Sequence, residues 1–298
     1  MIFKSDEIAF GRHESFGLRY GWLTKGTQAF QQDSYVFEQD DATVTLGVGR
    51  NMVRSIKYWL QAAGVLARVG PSEFQLTPIG EFIFGPSGVD PYLEDDTTLW
   101  LLHWLVSNNS ATATIFFWFF NYFHRSEFSV DDIYSSLSRF IEDNTDRQFA
   151  QNTLKGDIQV LLRMYTKQSA HSDDSMIMES PFSNLGLISF FSKEKTYRSR
   201  LIKRSDIPVS VFGYALSTIF CSESASEIPL ERLMYTKNGT SSLGSIFRVS
   251  EEGFLFLVDK LIELVPGVFK YSESAGLRQL YVLKSIEPLS FLDDYYSV

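Results

Sequence analysis

Between Ala111 and Phe123 the chain reads ATATIFFWFFNYF, and this stretch limits the possible folds more than any other. It is about seven residues short of the roughly 20 that a membrane-spanning helix needs, and the polar residues Asn108, Asn109, His124 and Arg125 sit at its ends. A helix that is apolar on all sides belongs inside a protein core. The 298 residues, 44% of them hydrophobic, suffice for two or three domains that each bury a core.

Charge is distributed unevenly along the chain. The formal net charge of −9 argues against a protein that coats nucleic acid indiscriminately, because non-specific affinity comes from Lys and Arg neutralising phosphates. Any contact with DNA must therefore be local. From Ala42 to Ser72 the chain carries Arg50, Arg54, Lys57 and Arg68 and no acid, whereas Gly85 to Asp146 holds ten acids against Arg125 and Arg139. A second basic run follows, with Lys193, Lys195, Arg198, Arg200, Lys203 and Arg204 opposed only by Glu194. Cys221 is the one cysteine, which rules out an intramolecular disulfide, a four-cysteine zinc site and a Cys-x-x-Cys redox pair within the chain. MIFKSDEIAF has no apolar signal core, so the expectation is a cytoplasmic protein with no membrane partner.

The first basic island has a definite pattern. Met52, Val53, Ile56, Trp59, Leu60 and Ala63 recur at helical spacing, which predicts an amphipathic helix over Asn51–Leu66. Gly47 and Gly49 precede it as a turn, Val-Gly-Pro-Ser separates two short extended runs after it, and Thr77-Pro78 opens another helix. Helix, turn, amphipathic helix and hairpin is the order of a winged helix-turn-helix. Its polar face presents Arg50, Asn51, Arg54, Lys57 and Gln61, side chains suited to phosphates and base edges; docking to a protein is the competing use.

The C-terminal part repeats the outline. Ile228–Tyr235 reads as a short helix, Lys237-Asn238-Gly239 as a turn, and Ser250-Glu251-Glu252 as the cap of a helix to Val265. VFKYSESAGLRQLYVL then reads as a second hairpin. Glu251, Glu252, Asp259 and Glu263 make this helix acidic, which favours a protein interface or scaffold role over DNA. Ser129 to Tyr165 is expected to be helical, with Ser129 and Asp132 in capping-box spacing, and His171–Ser183 is the expected linker. The fold class is thus mainly α with short β hairpins (α+β), with winged-helix units at both ends joined by a helical middle. The corresponding segments are 1–88, 89–170 and 171–298.

Chemistry is less legible. The chain has no glycine-rich phosphate loop with Lys-Ser/Thr, no dinucleotide fingerprint and no His-Glu-x-x-His motif, so neither a nucleotide nor a redox cofactor is expected. His13, His103, His124 and His171 are scattered, and His103 in LWLLHWLV reads as a packed residue. The most suggestive segment is GRHESFGLRYGWLTKG, which sets His13 beside Glu14, with Arg12, Arg19 and Lys25 nearby and glycines at 11, 17, 21 and 26. Phosphodiester cleavage needs an activated water or hydroxyl, stabilised phosphorane charge and a protonated leaving oxygen. His13, Glu14 and Arg19 are the candidates for those roles. The bland alternative is a loop that packs Phe16, Tyr20 and Trp22 on the core. Asp40 and Asp41 could take a divalent cation, but capping the helix that begins near Ala42 is the preferred use.

The segments GRHESFGLRYGWLTKG and DDATVTLGVGRNMVRSIKYWLQAAGVL, followed by LWLLHW, resemble a bacterial family labelled only as a domain of unknown function. Its members are encoded beside a cysteine desulfurase, an ATPase and a sulfurtransferase similar to phosphoadenosine phosphosulfate reductase. The resemblance covers nearly the whole chain. It implies a part in a phage-defence system that replaces a non-bridging phosphate oxygen of DNA with sulfur, and, in the single-strand version, a component that nicks DNA. The expected partners are double-stranded DNA, the sulfurtransferase and ATPase, and a second copy of the chain; Mg²⁺ or Mn²⁺ is the expected cofactor. The expected DNA contacts are Arg50, Asn51, Arg54, Lys57, Arg68, Lys193, Lys195, Arg198 and Arg200. A non-catalytic DNA-binding adaptor or regulator, and a pure protein scaffold, are the alternatives, because the chain shows neither a His-Asn-His nor a PD-(D/E)xK signature.

Overall fold

The computed structural model describes residues 3, 5–167, 180–236, 240–284 and 287–297. His171, most of the expected linker and the expected turn at Lys237-Asn238-Gly239 lie outside the described residues. Contacts divide the chain into a larger unit, Lys4–Trp118 with Glu127–Ser199, and a smaller one, Met1–Phe3 with Phe119–Ser126 and Arg200–Val298.

The larger unit opens with α1 (Trp22–Gln32), a 3₁₀ turn (Val36–Glu38), α2 (Ala42–Thr45), α3 (Arg50–Ala62) and an antiparallel hairpin of β1 (Leu66–Arg68) and β2 (Phe74–Leu76). Helix α3 is shorter than its apolar pattern suggested. Gly64 turns the chain at φ +67°, and Leu66 already pairs with Leu76 across the hairpin. The Asn109 amide closes the end of α3 by donating to Gln61 O at 3.1 Å and Ala62 O at 3.2 Å, so two terminal carbonyls are not left bare. Helices α1 and α3 meet at Gly26, where a Cβ would sit 2.6 Å from Ile56 Cγ2; only hydrogen fits there. Asp41 stands at the N-cap of α2 but makes no side-chain cap bond, so the expected capping role is not realised.

Next come α4 (Pro78–Phe84), α5 (Asp96–Ser107) and the start of α6 (Thr114–Tyr122), whose residues from Phe119 on belong to the smaller unit. Thr77 caps α4 by accepting the Gly80 N–H at 3.0 Å, as its Thr-Pro start predicts. The apolar stretch forms α6, and Ile115 to Phe120 are all at most 2% exposed. No helix among the described residues is long and apolar enough to cross a membrane. His103 on α5 is packed as expected, with Nδ1 2.8 Å from the Tyr165 hydroxyl.

The rest of this unit is β3 (Glu127–Phe128), α7 (Val130–Asn144), α8 (Gln151–Tyr165), β4 (Ser189–Phe191) and β5 (Thr196–Arg198). The capping box at Ser129 and Asp132 forms in full. The sheet order is β3-β5-β4, all antiparallel.

The smaller unit holds α9 (Val209–Glu223), β6 (Glu227–Pro229), α10 (Leu230–Met234), α11 (Leu243–Ile246), α12 (Glu251–Leu264), β7 (Phe269–Ser274), β8 (Leu277–Val282) and α13 (Ser290–Tyr296). Its sheet order, β6-β8-β7, repeats that of β3-β5-β4. In each sheet a first strand leads into helices, and a terminal hairpin returns to pair with that strand. Ile228, expected in a helix, is instead in β6, and the helix starts after Pro229. Ser250 caps α12 through the Gly253 N–H at 3.3 Å. Arg248 is fully buried here; its Nη2 donates to Phe119 O at 2.9 Å and Phe123 O at 3.0 Å, capping the end of α6. Burial, and then the charge of Arg204, lower its pKa to about 9.

Candidate functional site

The loop Gly11–Tyr20 is pinned from below by α8. Asp157 is 3% exposed and accepts the Gly11 N–H at 2.9 Å (Oδ1) and 3.1 Å (Oδ2), while Gly11 itself takes φ +72°. His13 Nε2 lies 3.1 Å from the same carboxylate, without the alignment of a full hydrogen bond. The Ser15 N–H donates to His13 Nδ1 at 3.1 Å, so that nitrogen is the acceptor and the ring proton sits on Nε2, facing Asp157. The imidazole stacks on Trp59 with ring centres 6.5 Å apart and meets Tyr58 edge-on at 5.8 Å. Burial, and then the Asp157 carboxylate, push the Tyr58 hydroxyl well above its ordinary pKa of 10.

At 2% exposure His13 is part of the loop's foundation. The next two residues turn outward through left-handed backbone, Glu14 at φ 50° and Ser15 at φ 65°. Non-glycine residues reach that region at a cost, so two in succession mark a loop held by its surroundings. Part of that hold comes from Arg163, which donates to Ser15 O at 2.9 Å. Trp59 adds a bond from Nε1 to Phe16 O at 3.1 Å.

Glu14 thereby comes beside α3: Arg54 Nη1 is 3.7 Å from Glu14 Oε1, with Arg54 60% exposed. A pair this open is worth no more than about 1 kcal/mol, so Arg54 can turn to another anion at little cost. Arg50 and Asn51 are exposed on the same helix. Lys57 is more committed, paired with Glu38 and 4.4 Å above the Phe74 ring of the hairpin. Arg68 donates to Gly70 O at 3.0 Å and to Pro71 O, and so serves its own turn. Arg19 sits over Phe16 (5.6 Å) and Trp22 (5.2 Å). Sequence neighbours His13, Glu14 and Arg19 therefore engage three different sets of partners.

The second basic run is split. Lys193 and Lys195 are exposed at the β4–β5 turn, while Arg198 in β5 is bound by Glu127 at 2.9 Å and Glu194 at 3.1 Å. Arg200, also exposed, falls in the smaller unit. Among the described residues no three His, Cys, Asp or Glu side chains cluster to hold a metal.

The residue that sequence reasoning missed is Asp157. A signal was present: Leu154, Ile158 and Leu161 form the buried stripe of α8, and Asp157 interrupts it with an acid. An acid on an apolar stripe needs a partner.

Two solved structures share this architecture. One, described as the SspB crystal structure, matches with a TM-score of 0.86 and 25% identity over 98% of this chain and 90% of that one. The other, the magnesium ion-bound SspB crystal structure, has a TM-score of 0.87 and 24% identity over the same shares. No curated protein matches the chain. The family model described as "Protein of unknown function (DUF4007)" matches residues 10–296, nearly the whole sequence, and the chain belongs to that family.

Proposed function

We propose that this protein is the DNA-binding component of a DNA phosphorothioation system, built on winged-helix units, that nicks one strand to admit sulfur. The observation that carries the proposal is α3, a helix with no acid of its own, on which Arg50, Asn51 and Arg54 are exposed and Glu14 lies against Arg54. Helix α3 takes the place of a recognition helix and β1–β2 that of its wing. The family resemblance and the likeness to SspB support the system assignment. Lys193 and Lys195 offer a second phosphate contact; the sulfurtransferase, the ATPase and a second copy of the chain are the proposed protein partners.

Within this proposal Glu14 is the carboxylate that reaches solvent, and it orients or deprotonates the attacking group. His13 is the positioning residue that holds Glu14 through the loop, and Arg19 steadies the aromatic side of the same loop. No three protein ligands cluster among the described residues, so Mg²⁺ or Mn²⁺ would be held by one or two carboxylates, Glu14 foremost, together with the DNA phosphates.

The deciding assay incubates supercoiled plasmid with purified protein and Mg²⁺ or Mn²⁺. Wild type is expected to yield open circles and Glu14→Ala none. Plasmid that is bound but left intact would sink the nicking step and leave the adaptor, a reading favoured by the burial of His13.

DNA contact has its own test. Replacing Arg50 and Arg54 together by Ala is expected to weaken duplex binding and to make the slope of log affinity on log salt shallower by roughly 2, because two phosphate contacts no longer release counterions. Lys57→Ala, which removes a charge already paired with Glu38, is expected to do less. Unchanged affinity and slope in the double variant would overturn the assignment of this face.

A further inference from the structure

Among the hairpins of the described residues, β4–β5 alone carries uncommitted cations at its tip. Lys193 and Lys195 are exposed on the turn 192–195, and no ion pair reaches either of them among the described residues. Glu194 and Glu127, the acids of this sheet, are both taken by Arg198. The tip is therefore positive. In β1–β2, by contrast, Arg68 serves its own turn, and in β7–β8 the tip is Ala275-Gly276 while Arg278 is held by Glu251.

The same hairpin carries a row of rings. Phe190 in β4 stands opposite Tyr197 in β5, and Tyr197 opposite Phe128 in β3, so the three side chains share one face of the sheet. Ring centres are 4.8 Å apart for Phe190 and Tyr197, tilted by 38°, and 6.1 Å for Tyr197 and Phe128, tilted by 11°. Exposure rises along the row: Phe128 is 2% exposed, Tyr197 half-buried and Phe190 47% exposed. Strand β4 is an edge strand, where an open aromatic ring invites unwanted pairing and charged residues are the usual choice.

We infer that the β4–β5 hairpin binds single-stranded DNA, stacking an unpaired base on Phe190 while Lys193 and Lys195 hold the flanking phosphates. This deepens the proposed function, on which it rests: the second phosphate contact is made to a single strand. Inside a duplex each base is covered by its neighbours, so an exposed ring finds a base face only where a strand is unpaired. Stacking rings beside flexible cations are the composition of single-strand grooves. Lysine, a point charge on a long stem, suits a phosphate contact that ignores sequence. No more than three residues of chain, about 11 Å at full extension, separate Lys193 from Phe190 or Lys195 from Tyr197. Ring and cations thus lie within the span of a few nucleotides.

The test is a fluorescence titration of the full-length protein with an oligothymidylate of about 12 nucleotides, a length such grooves cover, bearing one 2-aminopurine. Binding is expected to quench the 2-aminopurine. Phe190→Ala should weaken single-strand binding about 5–100-fold, the loss of one stacked base, and restore emission at saturation. Phe190→Trp should keep both affinity and quenching. Lys193→Ala with Lys195→Ala should make the slope of log affinity on log salt shallower by about 1.4, at about 0.7 per phosphate. Thermal melting close to that of wild type is expected throughout, because these side chains face water. A duplex of the same length separates the two readings: Arg50→Ala with Arg54→Ala tests α3 on the duplex, and Phe190→Ala tests the hairpin on the single strand. Equal single-strand affinity in wild type and Phe190→Ala, absence of quenching, or tighter binding of an oligouridylate would overturn the inference. So would failure to bind any single strand, the result expected if this face docks a protein instead.

Discussion

Asp157→Ala is expected to destabilise the larger unit by about 2–4 kcal/mol, as read from urea unfolding. The carboxylate takes the Gly11 N–H on both oxygens and faces the proton on His13 Nε2. Removing it strands the Gly11 N–H and takes away the carboxylate that faces His13, which at 2% exposure is out of easy reach of water. Asp157→Asn separates the roles of charge and shape. Its amide oxygen still accepts from Gly11, so the loss should shrink to about 1–2 kcal/mol. Local opening gives an independent reading: Gly11 amide exchange should speed up in Asp157→Ala far more than exchange in the middle of α8. If Asp157→Ala were as stable as wild type, the loop would have some other anchor, and the positioning role given to His13 would fall with it.

Arg248→Ala is expected to cost about 2–4 kcal/mol in the smaller unit, and here two effects compete. Burial disfavours the guanidinium charge and lowers its pKa to about 9, so deletion returns part of that cost. Deletion also leaves Phe119 O and Phe123 O without their donor and opens a void beside the Phe119 and Phe120 rings, each 5.4 Å from the guanidinium. The loss of two hydrogen bonds from a charged donor, at about 1.5–3 kcal/mol each, plus the cavity, outweighs the relief. Arg248→Met, which fills the void but donates nothing, should fall between Ala and wild type.

The pH dependence of Arg248 has a definite sign. Its folded pKa lies below the unfolded value, so above about pH 9 the unfolded chain binds more protons and the group's contribution to stability grows. The gap between wild type and Arg248→Ala should therefore widen by about 1 kcal/mol from pH 7 to pH 10. A gap that narrowed would contradict the burial of the charge.

What the sequence disclosed follows the range of the forces involved. Helix α3, the caps at Thr77, Ser129 and Ser250, the β7–β8 hairpin and the burial of α6 are set by residues a few positions apart, and local pattern shows them. The sheet orders β3-β5-β4 and β6-β8-β7 join strands far apart in sequence, and nothing local marks that pairing. The same limit applies at the site. The loop around His13 could be singled out, but the 146 residues separating Gly11 from Asp157 hid the partner that fixes it. Composition likewise placed Arg50, Arg54, Lys57 and Arg68 on one basic island, yet gave no sign that Lys57 and Arg68 are spoken for by Glu38 and by a turn.

Helix α6 begins in one compact unit and ends in the other, and the chain crosses between the units again near Ser126 and Arg200. No single break in the polypeptide can release either unit whole. Truncation after Ser199 would discard the scaffold around Phe119, Phe120 and Phe123 and bare aromatic surface that aggregates. Activity lost on such a truncation would reflect a ruptured core even when no residue of the site had been removed. Assigning roles to the two units therefore calls for point substitutions in the intact polypeptide.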